Sequence, residues 1–158
     1  FVFPNQANGS LIKNGDKMIG SKLIGQKFTS DKYFWGRPSA CDYGTVASGA
    51  SNLGPTSKAL KDAVEERKKD FIKKNNLAEN TIIPKEMLFA SGSGVDPHVT
   101  VEAVKLQVER VVKARKFENN KKEILVNLID RVTEKPQFAI LGETRVNILL
   151  LNQELDKI

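Results

Sequence analysis

The chain reads as an α+β fold: one domain, residues 1–158, with a mixed sheet, about three packed helices and a long glycine- and serine-rich loop region. Three observations predict it. Two short strand-like runs bracket a turn signal near the N-terminus. Three later segments repeat apolar residues at helical spacing. Strands and helices do not alternate strictly, as they would around a parallel sheet. A chain of this length typically buries about 70% of its extended surface, so its core needs no disulfide or metal staple.

Ser10-Leu11-Ile12 and Ser21-Lys22-Leu23-Ile24-Gly25 are the first two expected strands, and Asn14-Gly15-Asp16 turns between them. Asn8-Gly9-Ser10-Leu11-Ile12 and Ile19-Gly20-Ser21-Lys22-Leu23-Ile24 are a near-repeat, which suits paired strands. The aromatic cluster Phe28, Tyr33, Phe34, Trp35 and Tyr43 brackets Gly36-Arg37-Pro38-Ser39. An irregular stretch then runs through Ser48-Gly49-Ala50-Ser51-Asn52-Leu53-Gly54-Pro55. Loops of this length are usually functional or mobile.

A first helix begins at Thr56 or Ser57 as N-cap and stops at Asn75-Asn76. Leu60, Val64, Arg67 and Phe71 share one face, and its charges run from acidic to basic along the helix dipole. Met87-Leu88-Phe89 reads as a strand feeding the turn Ala90-Ser91-Gly92-Ser93-Gly94-Val95-Asp96-Pro97-His98. A second helix follows Thr100. Val101, Val104, Val108, Val111 and Val112 form its buried stripe, Glu102, Lys105, Glu109, Arg110 and Lys113 its wet face, and Gln107 lies half-buried at the flank. A third helix, about Asn120 to Thr133, packs Ile124, Leu125, Leu128, Ile129 and Val132 inward and is stopped by Pro136. Arg145 to Leu151 reads as a central strand, with Leu155 and Ile158 in a terminal helical turn.

Lys and Arg number 25 against 19 Asp and Glu, for a net charge of +6. Such a balance favours acidic partners, whether phospholipid, nucleic acid or an acidic protein. Much of the charge nevertheless falls on helix faces and ends, as in Arg67-Lys68-Lys69, where it solvates the helix. The basic residues are dispersed and no nucleic-acid-reading motif is present, so no nucleic-acid partner is expected. Cys41 is the single cysteine, which excludes an internal disulfide and a Cys-rich zinc site. One cysteine and one histidine, without clustered carboxylates, predict no metal. No apolar run reaches the roughly 18 residues of a membrane span. The chain starts at Phe1 instead of methionine, so its native start is expected to lie upstream, where a signal peptide or membrane anchor could have been lost.

The turn before the second helix concentrates the candidate chemistry. Ser91 or Ser93 with Asp96 and His98 evokes a hydrolase, but triad members usually come from separate elements and no Gly-x-Ser-x-Gly elbow is present. The simpler reading is a turn in which Asp96 bonds backbone amides. Ser91-Gly92-Ser93-Gly94 before a helix could cradle phosphate, but no Walker lysine follows. Tyr33-Phe34-Trp35-Gly36-Arg37 could stack bases, form core, or present a partner interface, in which Trp, Tyr and Arg are enriched. Core plus interface is the favoured reading.

In order along the chain, Phe3-Pro4-Asn5-Gln6-Ala7-Asn8-Gly9-Ser10-Leu11-Ile12, Gly20 to Gln26 with Phe28, Tyr33-Phe34 with Gly36-Arg37-Pro38-Ser39-Ala40, Ser51-Asn52-Leu53-Gly54-Pro55, Ala90 to His98, Gln107-Val108 with Arg110-Val111, and Gly142-Glu143 with Val146-Asn147 resemble blocks of one family. It is the C subunit of the Kdp potassium-transporting P-type ATPase. Trp35, Ala50 and Val95 depart from the residues usual there. The resemblance implies a subunit that is no enzyme by itself but part of an ATP-driven potassium uptake pump. It implies a single-pass anchor in the cell membrane, with this domain on the extracytoplasmic side. The implied partners are a channel-like potassium-binding subunit and the P-type ATPase subunit, the former docked at its outer face. Tyr33, Phe34, Trp35, Arg37, Asn52, Asp96 and His98 are the expected contact residues. The family is also described as a catalytic chaperone that raises ATP affinity. That alternative implies nucleotide binding at Ser91, Ser93 and Gln107, with ATP the one ligand to consider and no resident cofactor.

Overall fold

In the computed structural model, residues 3–138 and 140–158 are described. A four-residue helical turn, α1 (Pro4–Ala7), leads into an antiparallel ribbon of β1 (Leu11–Asn14) and β2 (Lys17–Ser21). The hairpin was expected, but its second strand lies four residues earlier than the sequence suggests. Ser21 accepts the amide of Leu23 on its side chain and that of Ile24 on its carbonyl, which curls the chain away from the ribbon. No helix or strand then occurs until α2 (Lys58–Lys74). Ser57 caps α2 by accepting the Leu60 amide, and Asn75 follows its last turn.

The strand expected at Met87–Leu88–Phe89 is instead a 3-10 turn over Lys85–Met87. The Leu88 carbonyl accepts from the Arg67 guanidinium at 2.9 Å, a side-chain partner where a strand would need a neighbouring backbone. The chain then forms β3 (His98–Val99). Thr100 caps the next helix, which is broken in two: α3 (Val101–Lys105) and α4 (Val108–Arg115). At the break the Gln107 amide bonds the Val104 carbonyl, three residues back, tightening the turn. That turn carries Arg110 off the expected wet face and into the interior, where it is 7% exposed.

Helix α5 (Asn119–Val132) buries Leu125, Leu128 and Ile129, whereas Ile124, expected inside, is half exposed. It passes directly into β4 (Thr133–Glu134), so it ends before Pro136 acts. β5 (Arg145–Asn147) lies between β3 and β4, antiparallel to both. The apolar run expected as one strand then turns helical: Asn147 accepts the Leu150 amide and caps α6 (Ile148–Leu155). A short apolar run does not by its spacing separate strand from helix, and the cap decides. Phe34, Val104, Val111, Leu125, Leu128, Ile129, Val146 and Leu151 belong to one core that joins the helices to the three-stranded sheet.

Candidate functional site

The long segment between the ribbon and α2 is fixed from below by polar side chains. The Asn152 side-chain amide, on α6, pairs with the Phe34 backbone through two 2.9 Å hydrogen bonds, one in each direction. Gln107 does the same for Trp35: its Oε1 accepts the Trp35 amide at 2.8 Å, and its Nε2 donates to the Trp35 carbonyl at 3.2 Å. Each side chain thereby replaces a neighbouring strand. Arg110 completes the anchor. It donates to the carbonyls of Asp31 (2.7 Å) and Tyr33 (3.0 Å), to Asn75 Oδ1 (2.9 Å) and to Gln107 Oε1 (2.9 Å). Its guanidinium also stacks on Trp35, 3.5 Å from the ring centre. Burial lowers its pKa to about 10, which leaves it charged at neutral pH.

Residues 36–49 then fold over the turn at 91–96. The Ser91 amide bonds the Pro38 carbonyl at 3.1 Å, and the Gly25 amide bonds the Val95 carbonyl at 2.7 Å. Gly94 has φ +73°, and a Cβ there would collide with Cys41 Sγ and lie 2.8 Å from the Gly49 carbonyl oxygen. Gly94→Ala is expected to cost about 1–3 kcal/mol, because it adds a left-handed backbone penalty to that collision. A lower thermal midpoint with unchanged far-ultraviolet circular dichroism checks it.

Arg37, Asp96 and His98 converge on this corner. Arg37 Nη1 lies 2.9 Å from Asp96 Oδ2, and Asp96 Oδ1 accepts the His98 amide at 3.0 Å. The His98 ring lies between two carboxylates, with Nδ1 3.5 Å from Asp96 and Nε2 3.8 Å from Glu134, which in turn pairs with Arg145. Burial raises the Asp96 pKa, but the hydrogen bonds from His98 and Arg37 and the Arg37 charge outweigh it and bring it to about 2. Tyr43 donates its hydroxyl to the Arg37 carbonyl at 2.7 Å, and burial with the nearby Asp96 charge pushes its pKa up to about 12.

The Asp96 pKa is depressed on folding, so its stabilisation is complete above the ordinary carboxylate range, near pH 4, and is lost as pH falls towards 2. Asp96→Asn should therefore cost about 2 kcal/mol at pH 7, and the two proteins should converge in stability near pH 2. Urea unfolding at a series of pH values reads the difference.

The expected contact residues fall in three places. Arg37, Asp96 and His98 are brought together, half-buried, at one corner. Asn52 is exposed on the neighbouring loop with φ +52°. Tyr33 is half-buried, hydrogen-bonded to Asp156 at 3.1 Å and tilted against Phe28. Trp35 is half-buried on Arg110, and Phe34 is fully enclosed at 0% exposure, so Phe34 supports the surface from beneath. Among the expected nucleotide residues, Ser91 is buried and Ser93 is exposed, its Oγ accepting the Val95 amide. Gln107, expected half-buried, is 0% exposed, and both ends of its amide are occupied by Trp35, Ala103 and Arg110. No hydrogen bond joins it to either serine among the described residues.

The fold and this corner define a class: a small α+β domain whose irregular surface loops are fixed by buried amides and one buried guanidinium. The family described as "KdpC: K+-transporting ATPase, c chain" matches residues 1–157, and the chain belongs to that family. The chain is 46% identical over 154 residues to the potassium-transporting ATPase KdpC subunit of Leptospira interrogans, across 98% of this chain and 77% of that protein. To the KdpC subunit of Paraburkholderia phytofirmans it is 46% identical over 159 residues, 99% of this chain and 81% of the relative. The Caldanaerobacter subterraneus KdpC subunit is 41% identical over 154 residues, 98% and 78%.

Proposed function

We propose that this chain is the accessory C subunit of a K+-transporting ATPase, assembling the pump by docking on its potassium-binding and P-type ATPase subunits. The domain lies on the extracytoplasmic side of the cell membrane, is held there by an N-terminal anchor, and rests against the outer face of the potassium-binding subunit. It performs no chemistry and needs no cofactor of its own. Family membership over residues 1–157 carries the reading. It is supported by the corner at Arg37, Asp96 and His98, which presents a braced, charged surface, and by the loop with exposed Val46 and Leu53, which lies against Gly94 through Gly49.

Val46 is 92% exposed and Leu53 41%. Carboxylates there should leave the isolated domain folded but remove docking area. The double variant Val46→Glu/Leu53→Glu is expected to lose co-purification with the other subunits, while Ile82→Glu, at a position 90% exposed on another part of the chain, retains it. Full assembly of the double variant would count against this surface.

The alternative reading, direct nucleotide binding at Ser91, Ser93 and Gln107, has the sequence of the turn in its favour. Against it stands the Gln107 amide, whose oxygen already accepts two hydrogen bonds and whose nitrogen already donates two. Any nucleotide contact there would first have to break the anchor of Trp35. Calorimetric titration of the chain with millimolar ATP is expected to give no binding heat.

A further inference from the structure

The ribbon of β1 and β2 has one face on the body of the protein and one left largely exposed among the described residues. Ile12, 5% exposed, faces inward opposite Gly20, and a Cβ on Gly20 would meet Leu149 at 3.1 Å. The register slips between Ile12 and Lys13, and this bulge places the next pair, Lys13 and Met18, on the opposite side. Leu11, paired with Ser21, shares that outer side by strand alternation. Leu11 is 45% exposed and Met18 57%, and the chain leaving the ribbon exposes Leu23 at 64%. Lys13 shares the outer side, and Lys17 at the turn and Lys22 at the exit of the ribbon, which alternate to the other side, are exposed at its two ends; none of the three forms an ion pair among the described residues. Asp16, at the turn, is the only acid between Leu11 and Leu23.

We propose that this outer ribbon face rests on the anionic headgroups of a lipid bilayer. Leu11, Met18 and Leu23 sit at the boundary between headgroup and acyl chain, Lys13 meets lipid phosphates from the same face, and the long side chains of Lys17 and Lys22 reach phosphates from the two ends of the ribbon. The composition favours lipid over protein. Protein interfaces are depleted in Lys and enriched in aromatic residues, Met and Arg; between Leu11 and Leu23 only Met18 is of that kind, against three lysines. Aliphatic side chains interleaved with unpaired lysines are what an anionic membrane surface attracts. The inference does not depend on the docking surface proposed above, which lies on other residues.

Sedimentation of the 158-residue chain with lipid vesicles tests it. The chain is expected to bind vesicles containing phosphatidylglycerol, to bind less as salt rises, and to leave pure phosphatidylcholine vesicles in solution. Lys13→Glu/Lys17→Glu should lower partitioning roughly tenfold or more, since each basic residue near such a surface counts for about fivefold. Leu11→Ser/Met18→Ser should lower it as well, and both variants should keep the parent thermal midpoint. Lys68→Glu/Lys69→Glu on α2 carries the same change of net charge and should lower partitioning far less. Equal loss in the α2 variant would reduce the effect to net charge and overturn the proposal. So would undiminished binding by the ribbon variants, or no binding by the parent, which would leave the face to a protein partner.

Discussion

Replacing Arg110 by Met should lower the stability of the domain by about 3 kcal/mol or more, a drop of roughly 6–12 °C in thermal midpoint for a chain of this size. Arg110 is 7% exposed, and its guanidinium is the donor to two carbonyls and two side-chain oxygens. Met has nearly the same stem and fills much of the same volume, but it leaves the carbonyls of Asp31 and Tyr33 and the oxygen of Asn75 without this donor. Hydrogen bonds from a charged donor contribute more than neutral ones, and buried acceptors left open cost their full desolvation. Lys should not rescue, because one ammonium does not reproduce a planar fork that reaches four acceptors and stacks on Trp35. Calorimetric melting checks the size of the loss. Hydrogen exchange should show it first in residues 31–35, which the side chain anchors.

The second large effect is expected at Gln107. Changing it to Leu keeps the volume and removes every polar contact. The Trp35 amide and one Arg110 nitrogen lose an acceptor, and the carbonyls of Trp35 and Ala103 lose a donor. A cost of about 2–4 kcal/mol follows from that many open buried groups. The two readings of this residue separate here. If Gln107 holds the loop, the variant is less stable with no nucleotide present, and ATP leaves the thermal midpoint of the parent unchanged. If it binds nucleotide, ATP stabilises the parent by mass action and the variant loses that increment.

The helix starts could be read from the sequence because capping is local. Ser57 and Thr100 lie three residues before the amides they accept, so spacing alone finds them. The turn between the ribbon strands and the backbone role of Asp96 were readable for the same reason. The interior anchor was not. Gln107 and Trp35 are 72 residues apart, and Asn152 and Phe34 are 118 apart, so no local pattern pairs them. A signal did exist in the apolar stripes. Gln107 and Arg110 interrupt the valines of one helix and Asn152 the leucines of another, and an uncharged or long polar residue on a buried face needs a partner there. An unbroken helix would turn Arg110 outward, onto the wet face. The tight turn at Leu106–Gln107 rotates it inward.

The convergence of Arg37 with Asp96 and His98 lies between these extremes. The sequence singles out both segments, but 59 residues separate Arg37 from Asp96, and only the folded chain pairs them. The small residues did carry that information in part. Gly25 would place a Cβ 2.9 Å from the Asp96 carbonyl oxygen, and Gly94 abuts Cys41, so both mark where one loop lies directly on another.

The proposed function requires this domain to act as a contact surface for the other chains of the pump. A photoactivatable cross-linker at position 46, in the subunit within the assembled complex, tests that directly. The expected product joins position 46 to an extracytoplasmic segment of the potassium-binding subunit. A cross-link to the cytoplasmic nucleotide-binding part of the ATPase subunit would contradict an extracytoplasmic docking role.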